Sequence, residues 1–202
     1  GAVDDIRVYR GALGADDVTA LSKWTPIPTL VARYTLDDGA AAAASGNSAL
    51  AGALSSGTTA ITGHDGRGSG GLDLDGTATV SFPAALAADI LGSNARSVCV
   101  WARVDAWNGG GLFGYGSHEV GKDFSLRTSG DGATFVCQFY GGDYDTEVTI
   151  SGSDDGQWHH YCLTYDGATA ALYYDGAAKM SKSVSLNTGT NNVMSLGVWA
   201  QW

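Results

Sequence analysis

Hydrophobic and polar residues alternate one for one through most of the chain, in short runs that end at glycine. That is the period of strands with one face buried. The clearest run is Trp158–Tyr165. Trp158, His160 and Cys162 fall on one side of it, and His159, Tyr161, Leu163 and Tyr165 on the other. Asp166-Gly167 suits a tight reversal, Ala170–Tyr174 supplies a return strand, and Asp175-Gly176 follows. The same pattern predicts strands at Leu30–Leu36, Gly71–Leu74, Thr77–Phe82, Ser97–Val104, Leu112–Tyr115, Phe124–Arg127, Thr134–Tyr140, Thr146–Ser151 and Met194–Trp199. Two short helices are predicted: Ala15–Ser22, with Asp16 and Asp17 in its first turn, and Ala84–Leu91. Seven Asp-Gly pairs fall mostly between the runs, as in an antiparallel sandwich rather than in parallel βαβ units. The predicted fold class is all-β, two antiparallel sheets with one or two short helices.

Composition narrows the partners. With 44% hydrophobic residues the chain can bury a full core, and 16% charged residues argue against disorder despite 30 glycines. A net charge of −10 excludes the Lys/Arg-driven binding of nucleic acid and disfavours an anionic membrane surface. Among the 21 acidic residues only Glu119 and Glu147 are Glu; the rest are Asp, a turn former and a common calcium ligand. No run reaches the roughly 18 apolar residues of a membrane span, so no membrane insertion is expected. The chain begins at Gly1 without Met, which reads as a mature fragment or an excerpt.

The segment GQWHHYCLTYDGATAALYYDG resembles the most recognisable strand pair of laminin-G-like and pentraxin-like jelly rolls, within the concanavalin A-like lectins and glucanases. LVARYTLDDG, GRGSGGLDLDGTATVSF, SVCVWARV and SLNTGTNNVMSLGVWAQW match that family in order. The resemblance implies a jelly-roll sandwich over nearly the whole length. One piece is displaced: GAVDDIRVYRGALGADDVTAL resembles the closing strand and following helix, yet it comes first. Residues 1–23 are therefore read as that strand and helix, 24–29 as a Pro-containing connector, and 30–202 as a jelly roll lacking its last strand. Two arrangements satisfy this order, a cut out of phase from a tandem array or a circular permutant. The connector favours the array, and Gly1–Tyr9 would then complete a neighbour's sheet by strand addition.

Candidate chemistry is sparse. Of the three cysteines, Cys99 and Cys162 stand where pentraxin-like members join neighbouring strands by a disulfide, which implies an oxidising, extracellular or cell-surface setting. The alternative is three buried thiols, and Cys137 is left free or paired with another chain. Related domains hold a structural calcium near the first and last strands, which nominates Asp5, Asp37 and Asp38, with Asp4 and the Ser45-Gly46-Asn47 turn beside them. The Asp that precedes this turn in the family is Ala44 here. Asp143, Asp145 and Glu147 would share one face of a strand, near the spacing of a retaining glycosidase's carboxyl pair. The family motif has Glu where Asp143 stands, and Gly141-Gly142 mark a hairpin, so a solvated turn is the better reading. His159 and His160 point to opposite faces and cannot chelate one ion together.

Among the aromatic residues Trp101 and Trp158 are read as core, and Tyr140, Tyr144 and Trp199 as surface contacts for a glycan or a protein. The functional reading is a non-catalytic extracellular structural or adhesion module, one repeat of an array that docks neighbouring repeats or copies of itself. The alternative is a lectin-like carbohydrate-binding module, calcium-assisted or not, and a glycoside hydrolase stands a distant third.

Overall fold

The computed structural model describes residues 1–22, 30–44, 48–88, 90–105, 109–130, 134–153 and 155–197. In chain order its elements are β1 (Ala2–Arg10), α1 (Ala15–Ser22), β2 (Leu30–Tyr34), β3 (Ala53–Leu54), β4 (Thr58–Ile61), β5 (Gly71–Leu74), β6 (Val80–Ser81), α2 (Ala84–Ala87) and β7 (Arg96–Arg103). Then come β8 (Gly111–Gly116), β9 (Asp123–Thr128), β10 (Thr134–Gln138), β11 (Thr146–Thr149), β12 (His159–Tyr165), β13 (Thr169–Tyr174), β14 (Ala177–Ser183) and β15 (Asn192–Leu196). They form two antiparallel sheets. The first runs β14-β13-β12-β7-β1-β5-β4, with β2 also paired to β1, and the second runs β11-β10-β9-β8-β15-β6-β3.

Side-chain alternation builds the core between them. Val98, Val100 and Ala102 of β7 and Tyr161, Leu163 and Tyr165 of β12 face inward, meeting Phe113, Tyr115, Phe124, Phe135 and Phe139 of the second sheet's side. The β13–β14 hairpin closes on Asp175 (φ 48°) and Gly176 (φ 80°), the two left-handed positions that Asp-Gly suits. Arg96 is fully buried at the core's end. Its guanidinium lies over Phe124 (4.7 Å) and Tyr165 (4.8 Å), and it donates to the carbonyls of Gly92 (3.1 Å) and Asn94 (2.7 Å) and to the Thr188 hydroxyl.

The displaced strand lies inside this chain's own sheet. β1 is buried from Ala2 to Tyr9 and pairs with β7 (Val8↔Val98), β2 (Ile6↔Tyr34) and β5 (Val3↔Leu72). Its register slips between Asp4 and Arg7, where Asp5 takes φ 42°. α1 keeps its predicted bounds and packs Val18 and Leu21 with Leu13 and Tyr9 against the outward side of the first sheet. There Cys99 and Cys162, directly opposite in register, are joined in a disulfide beneath the helix.

Several expectations are corrected. Trp101 and Trp158 are half-buried on the outward side, because each is out of phase with the inward-facing residues of its strand. Trp101 stacks on His64 (ring centroids 4.5 Å apart) beside His160 (5.4 Å). Cys137 is fully buried in the inter-sheet core, so it cannot pair with another chain in the folded state. The second helix stops at Ala87, and the chain then turns so that Gly92 exchanges hydrogen bonds with Thr188 (2.9 Å each way). β14 escapes the pattern because it is an exposed edge strand of Ala, Lys and Ser with little apolar signal.

The His160 imidazole is almost fully enclosed. Burial, aided by the nearby Arg7 charge, lowers its pKa to about 4. Its folded-state pKa lies below the unfolded value near 6.5, so the unfolded chain binds the proton first. Stability from this group is present above about pH 6.5 and is lost as the pH falls towards 4, by about 3 kcal/mol in all. Acid denaturation of a His160→Asn variant should lack that slope; an unchanged slope would assign it elsewhere.

Candidate functional site

The outward side of the second sheet holds the strongest constellation. In β9, Phe124 and Leu126 enter the core, leaving Asp123, Ser125 and Arg127 on the opposite side. In β10, Phe135 and Cys137 point inward and leave Val136 and Gln138 outward. Register then draws a line across six strands: Gln138↔Ser125, Ser125↔Gly114, Gly114↔Ser195, Ser195↔Ser81 and Ser81↔Ala53. At the usual interstrand spacing this row is about 24 Å long. Its residues are small or polar, which makes a shallow trough. Gly114 is required for it, since a Cβ there would come within 2.6 Å of the Ser125 hydroxyl.

Asp123 sits at one end of the trough with 0% exposure. The Ser125 hydroxyl donates to its Oδ1, while Oδ2 is buried with no hydrogen-bond partner among the described residues. His118 Nε2 lies 3.8 Å from Oδ2, too far to hydrogen-bond. Burial pushes the Asp123 carboxyl up to about 7; the Asp145 charge adds to this, while the Ser125 hydroxyl, the Phe124 backbone N–H and the Arg127 charge oppose it. Arg127 is engaged with Gln138 (Nε to Oε1, 2.6 Å) and with the Thr128 carbonyl (3.3 Å). Tyr140, at the end of β10, stacks its ring on His118 with centroids 4.9 Å apart. Val120, on the same β8–β9 turn as His118, is 61% exposed.

The family model Laminin_G_3, for the concanavalin A-like lectin/glucanases superfamily, matches residues 74–201. The chain belongs to that superfamily. No curated protein matches it. Among solved structures, domain 4 of AbnA, a GH43 extracellular arabinanase from Geobacillus stearothermophilus in complex with arabinotriose, is similar at 17% identity and TM-score 0.61, covering 85% of this chain and 84% of that one. The Crh5 transglycosylase in complex with NAG is similar at 15% identity and TM-score 0.42, covering 96% and 72%. The likeness to the AbnA domain is one of fold.

Within this concanavalin A-like sandwich, the nominated residues separate. Tyr140 joins the Asp123 group, Tyr144 packs against the edge of the core, and Trp199 lies outside the described residues. Asp5 is held between Arg7 and Arg33 (2.8 Å to each). Asp37 and Asp38 form a tight turn in which the Asp38 N–H bonds to the Ser69 carbonyl (2.7 Å). Among the described residues no three His, Cys, Asp or Glu side chains gather to hold a metal; the Ser45–Asn47 turn lies outside them. Asp4 instead receives the His64 backbone N–H (3.0 Å) and meets its ring nitrogen Nδ1 at 2.5 Å.

The three carboxylates of the acidic run fall in different local settings. Asp143 lies in the turn that follows Gly141, Asp145 accepts the Phe139 N–H (2.7 Å), and Glu147 is exposed on the edge strand β11. His159 bridges Asp175 (2.7 Å) and Asp155 (3.1 Å). A cavity of about 230 Å³ opens at the opposite end of β8, with Asp73, Asp75, Arg103, Asp105, Leu112 and Thr128 in its lining. Its Asp75 and Asp105 carboxylates already serve Thr77 and Arg103, so the Asp123 trough is the better candidate.

Sequence reading missed Asp123, Ser125, Gln138 and His118. The available signal was the Asp-Phe-Ser-Leu-Arg alternation, which puts three polar side chains on one side of a strand.

Proposed function

We propose that this domain is a non-catalytic carbohydrate-binding module that lays a neutral glycan across the outward side of the second sheet. The observation that carries the reading is the buried, half-satisfied Asp123 carboxyl in the floor of a polar trough. A buried acceptor without a donor costs about 1–3 kcal/mol, and such groups gather where a ligand supplies the missing partner. Sugar hydroxyls are such donors, and the Tyr140 ring offers a face for sugar C–H groups. The trough is long enough for several sugar units. The arabinotriose complex of the similarly folded AbnA domain supports this class of ligand. Net negative charge favours neutral over acidic polysaccharides. The disulfide suits an oxidising, extracellular setting.

Assembly by strand exchange has less support, because β1 already fills the interior of the chain's own sheet. Hydrolysis has less as well, given the dispersed carboxylates of the acidic run. Calorimetry against arabinan, β-glucans, xylan and mannan should find saturable binding that Tyr140→Ala weakens about tenfold, about 1.4 kcal/mol. Neither the wild type nor Glu147→Gln should release reducing ends. Binding to none of these glycans, or reducing-end release that Glu147→Gln abolishes, would defeat the reading.

A further inference from the structure

We propose that glycan capture on this face is proton-linked: a ligand hydroxyl that donates to Asp123 Oδ2 displaces the proton the carboxyl carries beforehand. The inference rests on the binding reading above and adds a regulation to it. A buried carboxylate stays ionised when donors or a close cation compensate both of its oxygens. Asp123 receives the Ser125 hydroxyl at Oδ1 and a hydrogen bond from the Phe124 backbone N–H, while Oδ2 has no hydrogen-bond partner among the described residues.

Each charged or titratable neighbour falls short of supplying more. From the β8–β9 turn, His118 Nε2 stops at 3.8 Å. Along β9, Arg127 lowers the cost only partly, because its Nε serves Gln138 and another guanidinium nitrogen serves Thr128. Lys122 is turned to Glu119 (2.7 Å). From β10, Tyr140 is stacked on His118, and from the β10–β11 turn Asp145 adds a like charge. On the β8 side the residue paired with Asp123 is Gly116, which has no side chain to offer. The protonated acid is therefore the form held before ligand arrives. A hydroxyl donating to Oδ2 supplies that oxygen's missing donor and favours the carboxylate, and the proton passes to solvent.

The sign follows from linkage. A ligand that prefers the carboxylate must remove a proton at low pH, so affinity falls on the acid side of neutrality and levels off on the alkaline side. With the Asp123 group near 7, the dissociation constant should rise about tenfold from pH 8 to pH 6. Burial lowers the His118 pKa below its ordinary 6.5, so His118 contributes little slope above that point.

The test is isothermal titration of the whole chain with arabinotriose, xylotetraose, cellotetraose and laminaritetraose at pH 6, 7 and 8. At pH 6.5 it is repeated in buffers of low and high ionisation enthalpy. The expected result is affinity that rises with pH, a release at pH 6.5 of about 0.8 proton per ligand, and Asp123→Asn binding that is weaker and flat with pH. Affinity independent of pH and buffer, or tighter at pH 6, overturns the linkage and leaves the binding reading standing. No binding by any of the four sugars at any pH removes both. The buffer dependence is measured on the wild type, so the outcome does not depend on the variant folding.

Discussion

Replacing Asp123 by Asn should stabilise the protein by about 4 kcal/mol at pH 8 and change little below pH 4. The folded-state pKa, near 7, lies above the unfolded value of 3.8. In the acid limit both states are protonated and the group is neutral towards stability. As the pH rises past about 4 the unfolded chain ionises while the folded one does not. The full penalty is reached once the pH passes through 7. Asn imitates the neutral acid, keeps an acceptor for Ser125 and removes the penalty. Urea unfolding of both proteins across pH 4–8 reads the difference directly. His160 acts in the opposite sense over part of the same range, so the variant-minus-wild-type curve is the informative quantity. An Asn variant no more stable at pH 8 than at pH 4 would show that Asp123 finds compensation without a ligand. A residue that costs stability on a polar trough is what a binding site selected for function leads one to expect.

The second large effect belongs to the disulfide. Cys99 and Cys162 are 63 residues apart in sequence, and a loop of that size lost from the unfolded state is worth about 4 kcal/mol. The double variant Cys99→Ala, Cys162→Ala should lower the free energy of unfolding by that amount in a denaturant titration. It should also loosen α1, whose Val18 and Leu21 rest on the two cysteines. Protection of the α1 amides from hydrogen exchange should fall before that of β7 and β12, which stay paired along their length. A loss below about 1 kcal/mol would mean that the unfolded chain already keeps these segments together.

Much of the sandwich was legible beforehand, for local reasons. Alternation along Ser97–Val104 and Trp158–Tyr165 assigns each side chain to one of two sides, whatever lies beside it. Asp175-Gly176 accepts left-handed backbone angles at little cost. The cysteine pair was legible through likeness to a family rather than through spacing. The site was not legible in the same way. Tyr140 was singled out for being aromatic near a turn, yet its role depends on His118, which arrives from another hairpin. Tyr144 carried the same signal and went to the core's edge. Asp5 was nominated for its carboxylate alone, and its ion pair with Arg33 depends on β2 lying beside β1.

The sequence by itself determined the strand period, the reversals, the α1 helix and the superfamily, because backbone geometry and turn chemistry act over a few residues. Only the tertiary structure decided that β1 fills the centre of the first sheet, that Trp101 and Trp158 face outward, and that Asp123 is buried with one oxygen left over. Those outcomes depend on register between segments far apart in the chain and on the water that their packing excludes. Desolvation and cross-strand neighbours are properties of the assembled sheets, and no short stretch of residues carries them.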